Sequence, residues 1–109
     1  MLGDMRILRK IVKPTATPVA VTPYTILAAD MNVYVDSSGN PCVVNLPPAT
    51  GSGRMLVIKK VDTGPNAVTI HADTTGTPDT IDGDAEFPLV YPWASITLQD
   101  WTANAWAIQ

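Results

Sequence analysis

NLPPATGSGRMLVIKKVD, residues 45–62, has two competing readings, and the choice between them sets the fold class. A glycine-rich loop that runs into a helix is the frame of a phosphate site, whereas the same loop running into a strand is a turn. A phosphate-binding loop needs Gly-x-x-x-x-Gly-Lys-Ser/Thr, so that backbone N–H groups and a lysine converge at a helix N-terminus. Here Arg54 is followed by Met55, Leu56, Val57, Ile58, Lys59, Lys60 and Val61, a short β-branched run that reads as a strand. Pro47 and Pro48 therefore end one strand, Gly51 and Gly53 supply permissive turn conformations, and a new strand begins near Arg54.

The same strand, turn, strand text extends in both directions. Val33 and Val35 flank Tyr34 ahead of Ser38-Gly39-Asn40-Pro41, and an apolar run over 42–46 follows, which predicts a hairpin. Residues 55–61, the turn Thr63-Gly64-Pro65-Asn66 and residues 67–71 predict a second. After a Thr-, Gly-, Pro- and Asp-rich loop over 72–84, Phe87, Leu89 and Tyr91 alternate with Pro88, Val90 and Pro92. Ile96 and Leu98 then alternate with polar residues, a turn covers 100–104, and Trp106 and Ile108 close the pattern. Clean helical periodicity is missing from this region. The expectation is an all-β body, an antiparallel sandwich or jelly-roll-like fold of about seven to eight short strands.

Charge divides the chain further. Of its 109 residues, the first 13 hold Arg6, Arg9, Lys10 and Lys13 against Asp4 alone, leaving nine acidic and three basic residues elsewhere. Residues 14–23, PTATPVAVTP, carry three prolines and suit an extended linker. The expected organisation is a basic N-terminal arm and linker over 1–23 and a β body over 24–109. Charges interrupt the opening apolar residues, so no signal-peptide core and no membrane-spanning stretch of about 20 residues is present. A single cysteine, Cys42, excludes an intrachain disulfide and fits synthesis in a reducing cytosol.

Chemistry-bearing motifs are few. His71 is the one histidine and sits on the polar side of its strand, so a metal site would lack the usual imidazole pair. The acidic turn DTIDGDAE, residues 79–86, does not have the alternate spacing of an EF-hand loop; a weak calcium site there is the alternative to a plain turn around Gly83. Ser52 stands in Thr50-Gly51-Ser52-Gly53-Arg54, which departs from the Gly-x-Ser-x-Gly nucleophile elbow. The expectation is a non-enzyme with no cofactor and no resident metal.

Other residues point to a partner. Alternation places Met55, Val57 and Val61 on one face of their strand and Leu56 and Ile58 on the other, so it is either central or in contact with another subunit. Trp106 alternates with Ile108 and reads as core, while Trp101 falls in the predicted turn, packed on an edge or in an intersubunit contact. Met55, Val57, Trp93 and Trp101 are the candidate subunit interface. Arg54, Lys59 and Lys60 are expected either to pair with acids of a neighbouring subunit or to stand solvated on a strand edge.

The strings VNLPPATGSGRMLVIKKVD, NAVTIHADTTGTPDTIDGD and ASITLQDWTANAWAIQ resemble a β-structured module of tailed-bacteriophage virion proteins, of capsid-decoration, head-fibre or tail-fibre type. The resemblance covers about residues 24–109 and implies a virion structural protein, commonly a homotrimer, made in the host cytoplasm and carried on the capsid surface. Under it, the arm residues Arg6, Ile7, Leu8, Arg9, Lys10, Ile11, Val12 and Lys13 dock on the major capsid protein. The alternative is a tail-fibre or host-glycan-binding module; the acidic body argues against nucleic acid as the partner.

Overall fold

The computed structural model of the chain describes residues 18–109. Nine strands form there: β1 (Tyr24–Thr25), β2 (Asn32–Val35), β3 (Cys42–Asn45), β4 (Met55–Lys60), β5 (Val68–His71), β6 (Thr80–Ile81), β7 (Glu86–Leu89), β8 (Ser95–Thr102) and β9 (Ala105–Ile108). They build two mixed sheets, one of five strands in the order β2-β4-β8-β9-β6 and one of four in the order β1-β3-β5-β7. The fold is all-β, as the alternation predicts.

The winding differs from the expected antiparallel one. From β1 to β8 each strand passes to the opposite sheet, and only β8 and β9 are consecutive neighbours within one. In the four-stranded sheet β1 runs parallel to β3 and β3 to β5, with Asn45 opposite both Thr25 and His71. In the five-stranded sheet β2 runs parallel to β4, Asn32 facing Val57 and Val35 facing Lys60. This is a solenoid-like coil, and neither predicted hairpin exists: β2 and β3 lie in different sheets, and so do β4 and β5. Antiparallel pairs appear later, where β7 joins β5 and β8 joins β4 and β9.

The core lies between the sheets. Strand alternation sends Val33 and Val35, Leu56 and Ile58, Ile96 and Leu98 inward from one side, and Val44, Val68, Ile70 and Leu89 inward from the other. Trp106 is buried among them, as expected, and donates its indole N–H to the carbonyl of Pro47 at 3.2 Å. Trp101, expected in a turn, instead stands within β8 and points outward.

The coil gives the molecule two ends. At one lie the C-termini of β1, β3 and β5 and the loops that follow them, covering residues 26–31, 46–54 and 72–79. At the other, Val19 bridges Val35, Val61 donates its N–H to Val35 at 2.9 Å, and Lys60 donates to Ala94 at 2.9 Å. Val19 both donates to Tyr34 and accepts from Asp36, each at 2.8 Å, so the chain meets the body upstream of Tyr24.

Candidate functional site

The glycine loop over 50–53 folds around a carboxylate of its own chain. Asp100, buried in β8, accepts from the backbone N–H groups of Thr50 (2.9 Å), Gly51 (2.8 Å) and Ser52 (3.3 Å). The hydroxyls of Ser52 (2.7 Å) and Thr50 (3.1 Å) add to these. Gly51 and Gly53 have φ of 83° and 82°, the left-handed region that lets successive N–H groups converge. Burial pulls the Asp100 pKa up, but the bonds from Ser52, Gly51 and Thr50 outweigh it and hold the group below the usual carboxylate value. The loop is thus an anion-binding concavity whose anion is Asp100.

Two further buried aspartates hold loops in the same way. Asp79 accepts from the backbone N–H of Ala49 (2.8 Å) and the Asn104 amide (2.9 Å), tying the 46–54 loop to the β8–β9 turn. Asp62 accepts from the N–H (2.7 Å) and hydroxyl (2.9 Å) of Ser37, from Gly64 N–H (2.9 Å) and from the Lys60 ammonium. Burial raises the Asp62 pKa, yet Lys60, Ser37 and Gly64 together bring it down to about 2. Asp82, at φ 48°, accepts from Ile108 N–H at 2.9 Å. The acids of the 79–86 turn therefore aim at different parts of the chain, and no group of three metal-ligating side chains occurs among the described residues.

The basic residues of the body also bond within the chain. Lys60 has 0% exposure and lies between Asp62 and Ser37 Oγ, which corrects the expectation of a solvated or intersubunit lysine; strand alternation points it inward with Leu56 and Ile58. Arg54 donates to the carbonyls of Leu27 (2.8 Å) and Asp30 (2.7 Å), and Lys59 to that of Trp93 (2.8 Å). His71 faces outward beside Glu86 at 3.1 Å.

Of the four candidate interface residues, the fold brings three together. Met55, Val57 and Trp101 share the outer face of the five-stranded sheet, because Met55 pairs with Gln99 and Val57 with Thr97 on the same alternation as Trp101. Met55 is 43% and Trp101 66% exposed; the exposed Leu27 and Met31 stand at the same end, where Arg54 grips their loop. Trp93 is separate. It lies at the far end of β8, 53% exposed, in the turn Tyr91-Pro92-Trp93-Ala94, where Ala94 N–H donates to Tyr91 at 3.1 Å. Its φ of 60° occupies the position where a type II turn takes glycine. Arm residues Arg6, Ile7, Leu8, Arg9, Lys10, Ile11, Val12 and Lys13 lie outside the described residues.

Sequence reading missed one feature, a cavity of about 500 Å³ at the C-terminal ends of β1, β3 and β5. Thr25 and Ile26 at the end of β1, Asn45, Leu46, Pro47 and Pro48 at the end of β3, and Asp73, Thr74 and Thr75 in the loop after β5 line it. The Thr-Asp-rich composition of the 72–84 loop was its only trace in the sequence. Comparison of the chain with protein-family models, curated proteins and solved structures returned no match.

Proposed function

We propose that this chain is a virion structural protein, a small trimeric capsid-decoration or head-fibre protein that docks through its basic arm. One observation carries the reading: Met55, Val57 and Trp101 cluster, beside Thr97 and Gln99, on the outer face of a sheet whose inner face is already filled by the core. An exposed apolar cluster of that kind gains by being covered against another subunit. The sandwich or jelly-roll description belongs to this proposal in a modified form, two facing sheets reached by a solenoid-like winding.

Charge supports the division of labour. Four cations against Asp4 occupy residues 1–13, while the remainder of the chain is acidic. A basic, apolar segment suits an acidic surface and speeds encounter with it. The described chain enters the body at the Val19–Val35 end, where Val90, Tyr91 and Trp93 are also exposed.

The test pairs light scattering with attachment. The full chain should run near three times 11.6 kDa at micromolar concentration. Deleting residues 1–13 should leave that mass and the melting temperature unchanged while abolishing attachment to capsids that lack the protein. Arg9→Glu with Lys10→Glu should weaken attachment more at low salt than at high. A stable folded monomer removes the trimer, and capsid binding that survives the deletion removes the docking role.

A further inference from the structure

The turn Tyr91-Pro92-Trp93-Ala94 presents two exposed aromatic side chains on a backbone that is both fixed and strained. Ala94 N–H closes it on the Tyr91 carbonyl at 3.1 Å, Lys60 N–H holds the Ala94 carbonyl at 2.9 Å, and the Lys59 ammonium holds the Trp93 carbonyl at 2.8 Å. Trp93 stands at φ 60°, where glycine would cost less, and strain of this kind gathers where a side chain has a task outside the fold. Tyrosine and tryptophan each join an apolar ring to one polar atom, the combination that collects at the boundary between hydrocarbon and water.

The turn has company at its end of the molecule. Val21, ahead of β1, and Val90, after β7, are exposed there too, at opposite edges of the four-stranded sheet. Three strand spacings put them about 14 Å apart, and Trp93 leads into β8 of the other sheet, about 10 Å across. Apolar side chains spread in this way meet a plane together. Full burial of Tyr91 and Trp93 covers about 300–500 Å², short of the roughly 800 Å² that each partner gives to a stable protein interface. A fluid surface needs no matching shape and takes up such side chains one by one.

Charge favours the same partner. The segments 18–23, 36–41, 61–67 and 90–94 at this end hold two of the nine acids outside residues 1–13, Asp36 and Asp62, and Asp62 is paired with the buried Lys60. Lys59, beside the turn, offsets Asp36. Asp30, Asp73, Asp79, Glu86 and Asp100 lie toward the other end. A layer of phosphate headgroups therefore meets a nearly neutral, aromatic end and turns the acidic end away.

From this fixed aromatic turn on a neutral end, we infer that the body binds the headgroup–hydrocarbon boundary of a phospholipid bilayer, with Tyr91 and Trp93 inserted and Lys59 beside the phosphates. The contact is peripheral, and it rests on the turn alone, apart from the virion role.

The experiment sediments the purified full chain with sucrose-loaded vesicles of phosphatidylcholine, whose zwitterionic surface gives the basic residues 1–13 little attraction. Binding should saturate at millimolar lipid and change little with salt. Tyr91→Ser with Trp93→Gly should weaken it about tenfold, with an unchanged far-ultraviolet spectrum. Met31→Ser, exposed at the opposite end, should bind as the parent chain does. A second reading does not need the double variant to fold: phosphatidylcholine spin-labelled near its headgroup should quench the tryptophan fluorescence of the parent and of Trp101→Phe, and should lose that effect on Trp93→Phe. Failure to sediment with the vesicles overturns the inference. Undiminished binding by the double variant also overturns it, because the contact then belongs to another part of the chain, residues 1–13 included. Equal quenching of Trp93→Phe does the same. If vesicles do not bind and Tyr91→Glu breaks up an assembly of the chain in light scattering, the turn is a subunit contact and the lipid role falls.

Discussion

Asp100 is the residue on which the loop over 50–53 depends. Three backbone N–H groups and two hydroxyls converge on its carboxylate inside the body, so removing the acceptor leaves several donors without a partner. Asp100→Ala is expected to cost about 2–4 kcal/mol of unfolding free energy in urea, and Asp100→Asn less, because one acceptor oxygen remains. The sign of the pH effect follows from the same bonds. Asp62, held at about 2, and Asp100, also held low, are depressed relative to the unfolded chain. Each contributes stability that is present above the unfolded carboxylate value and is lost as pH falls through the folded one. Urea midpoints should therefore fall between about pH 4 and pH 2, and Asp62→Asn should flatten that dependence. A midpoint that rises on acidification would mean that these carboxylates are not ionised in the native state. None of this was legible beforehand, because Asp62, Asp79 and Asp100 are sequence neighbours of turns and look like solvated turn residues; their partners come from distant loops. Lys60 was misread for a related reason. Alternation alone points it inward, but an inward lysine is tolerable only because Asp62 and Ser37 meet it there.

At the scale of elements, the strands were readable and their partners were not. Alternation of Val33 with Val35, Leu56 with Ile58 and Val68 with Ile70 identifies β2, β4 and β5 whatever they pair with. The connection over 36–41 is long enough both to reverse within a sheet, where strands are about 4.8 Å apart, and to cross to a second sheet about 10 Å away. Local sequence does not separate those two paths. The parallel coil was chosen by the whole chain, which buries both inner faces at once. The candidate site shows the same split. Met55, Val57 and Trp101 share a face that alternation foretells, whereas the cavity joins residues from β1, β3 and the loop after β5, three turns of the coil with no shared motif. The Tyr91–Ala94 turn gives an element-scale test. A tryptophan at φ 60° carries a backbone cost of about 1 kcal/mol that glycine avoids. Trp93→Gly should raise stability by about that amount while lowering any binding that uses the ring. A destabilised Trp93→Gly protein would show that the half-exposed side chain contributes more by packing than the turn loses by strain.

For the whole molecule, the apolar residues at the two ends make different demands. Val90, Tyr91 and Trp93 stand out from a turn, as isolated side chains beside the chain's entry to the body, whereas Met55, Val57 and Trp101 lie on a sheet face beside β9, with Ala105 and Ala107 half-buried there. A sheet face of that kind suits a subunit contact, and around a threefold axis the residues nearest the axis would meet their counterparts on the other two copies. In the proposed trimer, charge placed there acts three times over. Met55→Glu with Val57→Glu sets carboxylates of neighbouring subunits against one another and buries them on assembly, which costs far more than the lost apolar contact. In the isolated subunit both side chains remain on the outer face, so the β body should keep its fold. Light scattering of this variant should give 11.6 kDa in place of three times that mass, with an unchanged far-ultraviolet spectrum. Tyr91→Glu, 76% exposed at the opposite end, should leave the proposed trimer intact. If Tyr91→Glu alone dissociates the assembly, the subunits meet through the aromatic turn, and the outer face of the five-stranded sheet is left for a different partner.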